Sequence, residues 1–133
     1  MDTTEIRVGL IGAGGFAQFA VQHFSQVPGF KLTAVYDASA ATAEAAARRF
    51  GAEAATSVEA LVGREDVDLV YMGTPPYLHH PHAMVALQAG KHVIGEKPFA
   101  LTVEQSEEMI AAARDRNLLV VANLMQRYNP VYE

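Results

Sequence analysis

Two clusters of residues in this chain have the types and spacing that chemistry needs. The first lies in Gly9 to Ala17, "GLIGAGGFA", where Gly12, Gly14 and Ala17 fit the pattern G-x-G-x-x-G/A. In that pattern the first glycine permits a tight turn, and the second lets backbone approach a pyrophosphate with no Cβ in the way. The small third residue lets a helix pack close to a strand. Amide groups at the helix start, around Gly15 and Phe16, then face the anion. Asp37 stands 23 positions beyond Gly14, close to the spacing of a carboxylate that accepts hydrogen bonds from adenine ribose hydroxyls. The second cluster is Glu96-Lys97-Pro98, within "VIGEKPFALT". A lysine ammonium at such a place can stabilise a developing alkoxide, or accept a proton if burial lowers its affinity for one. Each feature has a plainer reading. Glycines make empty turns, aspartates make turns and helix caps, and lysines end strands at the surface.

The elements that would position these residues alternate strand and helix. Ile6 to Ile11 reads as a strand running into the glycines, and Phe16 to Gln26 as the helix after them. Phe30 to Tyr36 is strand-like and closes on Asp37. Ser39 caps an Ala-rich helix to Phe50, with Gly51 as its stop. A short strand follows near Ala54 and Ala55, then a short helix capped by Ser57 through Leu61. Val67 to Met72 is a strand, Pro81 to Ala89 a helix with Gly90 after it, and His92 to Gly95 a strand. Thr102 caps a long helix to about Arg116, with Glu104 and Glu107 placed well for its N-terminal dipole. Leu118 to Ala122 is the last strand. Most strands are continuously apolar, the pattern of strands covered by helices on both faces. The expectation is an α/β fold, a doubly wound parallel sheet of the dinucleotide-binding Rossmann type.

Composition narrows the function classes. The formal net charge is −5, so no basic field favours nucleic acid or anionic lipid. The absence of cysteine removes disulfides, thiolate metal sites and cysteine nucleophiles. No apolar run reaches membrane-spanning length, and a cytoplasmic location is the default expectation. His79, His80 and His82 crowd together without a matching set of acids, so no metal site is expected. Asp37 favours NAD over NADP, because a carboxylate accepts from the ribose 2′-OH and repels a 2′-phosphate. The following Ala38-Ser39-Ala40 offers no arginine to pair with that phosphate.

In open parallel sheets ligands gather at the C-terminal ends of the strands. Three segments fall there: "GTPPYLHH", "EKP" and "NLMQRYNP". The order of glycine loop, acid after the second strand, "TPPYLHH", "GEKPFALT" and "QRYNP" resembles the N-terminal domain of the glucose-fructose oxidoreductase / inositol dehydrogenase (Gfo/Idh/MocA) family. The likeness covers about residues 5 to 130, and E-K-P is its most specific part. It implies an NAD(P)-dependent oxidoreductase acting on the CH–OH group of a sugar, cyclitol or related polyol. It further implies a second α/β domain that supplies most of the substrate site and through which such proteins associate as homo-oligomers.

Carried onto this chain, the resemblance makes Lys97 the catalytic lysine and Glu96 a residue that positions the cofactor ribose. It implies that the peptide before Pro98 is often cis. It places Thr74 and Pro75 beside the cofactor, His79 at the family's histidine, and Arg127 near the nicotinamide end. Pro76 departs from it, standing where an asparagine is common. The larger departure is the second domain, absent from these residues, so residues 1–133 are expected to be one Rossmann domain of a longer protein. On its own this domain should bind dinucleotide and turn over poorly. Two alternatives stay open: an NAD-dependent glycoside hydrolase, and a non-catalytic nucleotide-binding module.

Overall fold

The computed structural model describes residues 4–124, 127 and 129–132. Six strands form one sheet: β1 (Ile6–Ile11), β2 (Phe30–Tyr36), β3 (Glu53–Ala54), β4 (Leu69–Met72), β5 (His92–Glu96) and β6 (Val120–Asn123). Between them run α1 (Gly15–Phe24), α2 (Ala40–Phe50), α3 (Val58–Val62), α4 (Pro76–Gln88) and α5 (Val103–Asp115). A short 3-10 turn follows at Pro130–Tyr132. The strand order is β3-β2-β1-β4-β5-β6, and every pairing is parallel. This is the doubly wound arrangement the apolar strands imply, with its switch point between β1 and β4.

The strands are apolar along their length because the core lies on both sides of the sheet. On one face Val8, Leu10, Val35 and Tyr71 pack with Ala17, Ala20 and Val21 of α1 and Ala43, Ala46 and Ala47 of α2. On the other, Ile11, Val70, Met72 and Val93 pack with Leu61, Ala83, Leu87 and Met109 of α3, α4 and α5. Burying a leucine, isoleucine or methionine of this kind is worth about 1.5–3 kcal/mol. The alanine rows let α1 and α2 lie close to the strands.

Helix ends follow local chemistry. The hydroxyls of Ser39, Ser57 and Thr102 accept from the amides of Thr42, Ala60 and Gln105, each satisfying one orphan donor. Gly51 ends α2 in the left-handed conformation, at φ +70.

Some boundaries differ from the sequence reading. β4 begins at Leu69 rather than Val67, and β6 runs over Val120–Asn123 rather than Leu118 to Ala122. The larger difference is α4, which starts at Pro76 with Pro81 inside it. Proline at the first helical position forgoes only an orphan donor. Pro81 forgoes one interior bond, and packing against the sheet keeps the helix. The residues around His79 are therefore helical from the outset. No helix among the described residues is long and apolar enough to cross a membrane.

Candidate functional site

The site begins where β1 turns into α1. Gly12 has φ +87, a left-handed value that favours glycine. A Cβ there would also lie 2.8 Å from Thr74 Cγ2 and 2.9 Å from Gly73 C and Thr74 N. Gly14 is different. It occupies the N-cap of α1 at φ −68 with no side-chain cap bond, and the space its Cβ would fill is open. The first amides of α1 are thus left without a side-chain acceptor, the arrangement that receives an anion. Gly15 also borders open space, and Phe16 beside it is exposed.

Ala17 is buried and fixes the close approach of α1 to the loop after β4. An added Cβ on Gly73 would come within 2.5 Å of the Ala17 Cβ. The sequence reading missed Gly73 as a site residue. Its signal is a glycine set between an apolar strand and Thr74-Pro75.

Asp37 closes the other wall. Its carboxylate accepts from the amide of Ala13 at 2.8 Å and from that of Ser39 at 2.8 Å. It therefore performs the turn role and also ties the end of β2 to the glycine loop. Together these elements enclose an open cleft of about 680 Å3, floored by Gly12 and Gly14 and walled by Asp37, Ala38, Thr74 and Pro75. That volume lies in the range of cofactor sites.

Tyr77, Leu78 and His82 of α4 complete the wall. His82 escaped the sequence reading as a site residue, although it lies one helical turn from Leu78 on the same face. Burial pushes its pKa below the usual histidine value, with Glu59 opposing and His79 reinforcing the shift. Two polar atoms in these walls, Thr74 Oγ1 and His82 Nδ1, are buried without a hydrogen-bond partner among the described residues. An uncapped helix start, an open Cβ position, a ribose-spaced carboxylate and two orphan polar atoms suit a dinucleotide.

The E-K-P segment lies one strand away. Glu96 is the last residue of β5, and its Oε1 accepts from the Tyr71 hydroxyl and, at 2.8 Å, from Asn123 Nδ2. Asn123 on β6 is the register partner of Glu96, and Tyr71 on β4 is paired with Ile94, two residues before Glu96. Burial, with the Glu96 contact second, pushes the Tyr71 hydroxyl well above its usual pKa. Glu96 is held from the neighbouring strands through one of its two oxygens, because the strand pleat turns this side chain onto the sheet face shared with Tyr71.

Lys97 is exposed and follows Glu96 directly. The Lys97–Pro98 peptide is cis, as the resemblance implied. Lys97 stands beyond the end of β5, beside the strand that feeds Thr74, and does not line the 680 Å3 cleft.

His79 lies behind the cleft wall. It is fully buried. Its Nδ1 lies 2.7 Å from the Pro98 carbonyl oxygen and its Nε2 lies 2.9 Å from that of Thr74. Both ring nitrogens are thus turned to backbone rather than to the cleft. His80 pairs with Glu108 at 2.7 Å and His82 faces the cleft, so the three histidines point apart. Arg127 is exposed and is not among the residues walling the cleft. Gln126 and Tyr128 of the same segment lie outside the described residues.

Comparison with known proteins agrees with this geometry. The chain is 40% identical to a 1,5-anhydro-D-fructose reductase of Ensifer adhaerens, over 88% of this chain and 35% of that protein. It is 35% identical to a glycosyl hydrolase family 109 protein of Shewanella amazonensis, over 90% of this chain and 29% of that protein. Among solved structures it superposes at TM-score 0.93 and 37% identity on a 3-ketoreductase, KijD10, from Actinomadura kijaniata in complex with NADP and TDP-benzene. That match covers 97% of this chain and 40% of the other. The chain spans roughly a third of the length of the curated relatives it matches. Residues 6–124 match the family described as "Oxidoreductase family, NAD-binding Rossmann fold" (GFO_IDH_MocA), and with this cleft and these relatives the chain belongs to the Gfo/Idh/MocA oxidoreductases.

Proposed function

We propose that this chain is the dinucleotide-binding domain of a two-domain enzyme. That enzyme moves a hydride between NAD and a secondary alcohol of a sugar, cyclitol or related polyol. The observation that carries the reading is the cleft itself. It joins a glycine-lined anion site, the Asp37 carboxylate and two unpartnered polar atoms, with a lysine at the adjacent strand end.

Hydride exchange with an alcohol is the chemistry a nicotinamide supplies when bound, and the protein contributes placement and charge. The amides of the glycine loop and of the first turn of α1, including Gly15 and Phe16, hold the phosphates. Asp37 accepts from the ribose hydroxyls. Thr74 and Pro75 form the wall beside the cofactor, and His82 offers a neutral ring. Lys97 Nζ stabilises charge on the reacting oxygen or exchanges its proton. Glu96, held by Tyr71 and Asn123, steadies the end of β5 and keeps its second oxygen for the nicotinamide-side ribose. Arg127 borders that end of the site.

Asp37 and the Ala38-Ser39-Ala40 sequence support NAD over NADP, although the 3-ketoreductase above carries NADP. The reductase and ketoreductase names among the relatives support a sugar-like substrate. Their greater length supports a second, substrate-binding domain in the whole protein, which would provide the oligomer contacts. A cytoplasmic enzyme that needs neither a membrane nor nucleic acid is part of the same reading. Glycosyl hydrolase names among the relatives favour one second reading, in which tightly held NAD serves glycoside cleavage.

The test is a calorimetric titration with NAD, NADH and NADPH of the wild-type chain and of Asp37→Ala. The reading expects NAD(H) to bind more tightly than NADPH. It also expects Asp37→Ala to lose at least about tenfold in NAD affinity, ~1.4 kcal/mol. Equal affinity for NADPH would overturn the cofactor preference, and no binding at all would overturn the site. In the full-length gene product, net NADH formation from polyols selects the dehydrogenase. Glycoside cleavage without net NADH selects the hydrolase.

A further inference from the structure

The last paired residues of β4 and β5 are Met72 and Gly95. Beyond them the two strands diverge into separate loops, one carrying Thr74 and the other Lys97 and Pro98. Thr74 walls the dinucleotide cleft and Lys97 does not. If cleft and lysine are to act together, something must hold the loops in register past the end of the ladder. Among the described residues a single side chain lies within hydrogen-bond distance of backbone carbonyls on both loops. His79 reaches the Pro98 carbonyl with Nδ1, at 2.7 Å, and the Thr74 carbonyl with Nε2, at 2.9 Å.

We propose that His79 is a positioning residue that clasps the Thr74 loop to the Lys97–Pro98 peptide, so that filling the dinucleotide cleft is relayed to the Lys97 ammonium. The proposal rests on the reading that the cleft takes a dinucleotide. Three features support it. His79 is fully buried, and close packing around an enclosed imidazole limits its movement. It is carried by α4, whose first turn follows Pro75 at the cleft wall, so the ring is mounted on a rigid element rather than on either loop. Thr74 presents an unpartnered, buried Oγ1 beside its clasped carbonyl. A ligand that satisfies the hydroxyl therefore acts on the same residue that the ring holds. The Lys97 side chain itself is exposed, so its surroundings can change without disturbing the core.

The chain suits a direct test because it contains three lysines: Lys31, Lys91 and Lys97. Reductive 13C-methylation gives each a separate NMR signal, assigned with single Lys→Arg variants. Lys91 Nζ is held by the carbonyls of Arg64 and Val67, and Lys31 stands near Glu5 at 3.6 Å. Both serve as internal references.

NAD is titrated into the wild-type chain, His79→Phe and His79→Gln, with affinity measured calorimetrically on the same samples. The expected result is a Lys97 shift on NAD binding in the wild type, with Lys31 and Lys91 unmoved. His79→Phe should bind NAD within about fivefold of wild type and lose more than half of the Lys97 shift. His79→Gln keeps N–H donors and should recover part of it, which a purely space-filling role would not produce. A His79→Phe chain that folds, binds NAD and shows the full Lys97 shift overturns the proposal. So does a wild type that binds NAD without any response at Lys97. If the wild type does not bind NAD, the dinucleotide reading fails first and the relay falls with it. Should His79→Phe not fold, His79→Asn, which is small enough for the same space, is read by the same criteria.

Discussion

Gly12 and Gly14 belong to one motif, yet the structure gives them different work, and alanine at each separates folding from binding. Alanine at 12 must hold φ +87, a left-handed value that costs an L-residue roughly 1–2 kcal/mol. Its methyl would also meet Thr74 Cγ2 at 2.8 Å and the backbone atoms Gly73 C and Thr74 N at 2.9 Å. Two of these three are main chain and cannot swing aside, so overpacking adds about 1–3 kcal/mol. The sum, about 2–5 kcal/mol, is a large share of the ~5–15 kcal/mol that holds a typical domain together. For a chain of this size it corresponds to a fall in Tm of roughly 8–20 °C.

Alanine at 14 meets nothing within 4 Å, and φ −68 with ψ 174 is ordinary extended backbone. Its stability cost is the difference between glycine and alanine at an N-cap, at most about 1 kcal/mol. Its methyl instead projects where a pyrophosphate must approach, so NAD affinity should fall by about tenfold or more. Thermal unfolding followed by circular dichroism and calorimetric NAD titration read the two effects. A Gly12→Ala chain melting within 2–3 °C of wild type (about 0.5 kcal/mol) would refute the packing argument. A Gly14→Ala chain with unchanged NAD affinity would refute the assignment of that open space to the cofactor.

Two further outcomes follow from the geometry. Asp68 is held down to about 2, chiefly by the Arg7 guanidinium at 2.8 Å and with burial opposing. Its folded pKa lies below the unfolded one, so it stabilises above about pH 4, and that stability is lost as pH falls toward about 2. The pair is more than a third exposed, so the effect is small. Arg7→Gln should flatten the Tm–pH curve between those limits, and an unchanged slope would show that the pair does not contribute. Tyr71→Phe removes one of two donors to Glu96 Oε1 and should cost about 1–2 kcal/mol in urea unfolding. A variant as stable as wild type would mean that this bond adds nothing net.

The fold was legible because its signals are local. Strands covered on both faces are apolar throughout, so β1, β2 and β5 stand out as runs, and Ser39, Ser57 and Thr102 mark helix starts by their own hydroxyl chemistry. The start of α4 was not legible. Proline permits a helix beginning at either Pro76 or Pro81, and only packing against the sheet selects the earlier one. The glycine loop and Asp37 were picked out by motif spacing and Thr74 and Pro75 by the family resemblance, and all of them line one cleft.

Contacts across the sheet were a different matter. Glu96 was read as a cofactor residue, but its direction depends on being the last residue of a strand flanked by Tyr71 and Asn123, partners 25 and 27 positions away. The histidine cluster shows the same limit. Sequence placed His79, His80 and His82 together, argued against a shared metal, and through the family resemblance singled out His79 without giving the direction of any of the three rings. Helix rotation then buried one ring, paired the second with α5 and left the third in the cleft.

The sequence by itself therefore determined the parallel sheet, the anion-binding turn and the lysine-bearing strand end, since each depends on residues adjacent or regularly spaced in the chain. Only the tertiary structure decided which side chains meet across strands. It turned Glu96 onto the sheet, made Gly73 necessary beneath Ala17 and joined His79 to two loops. Those contacts arise from the handedness, register and close packing of elements that sequence spacing does not record.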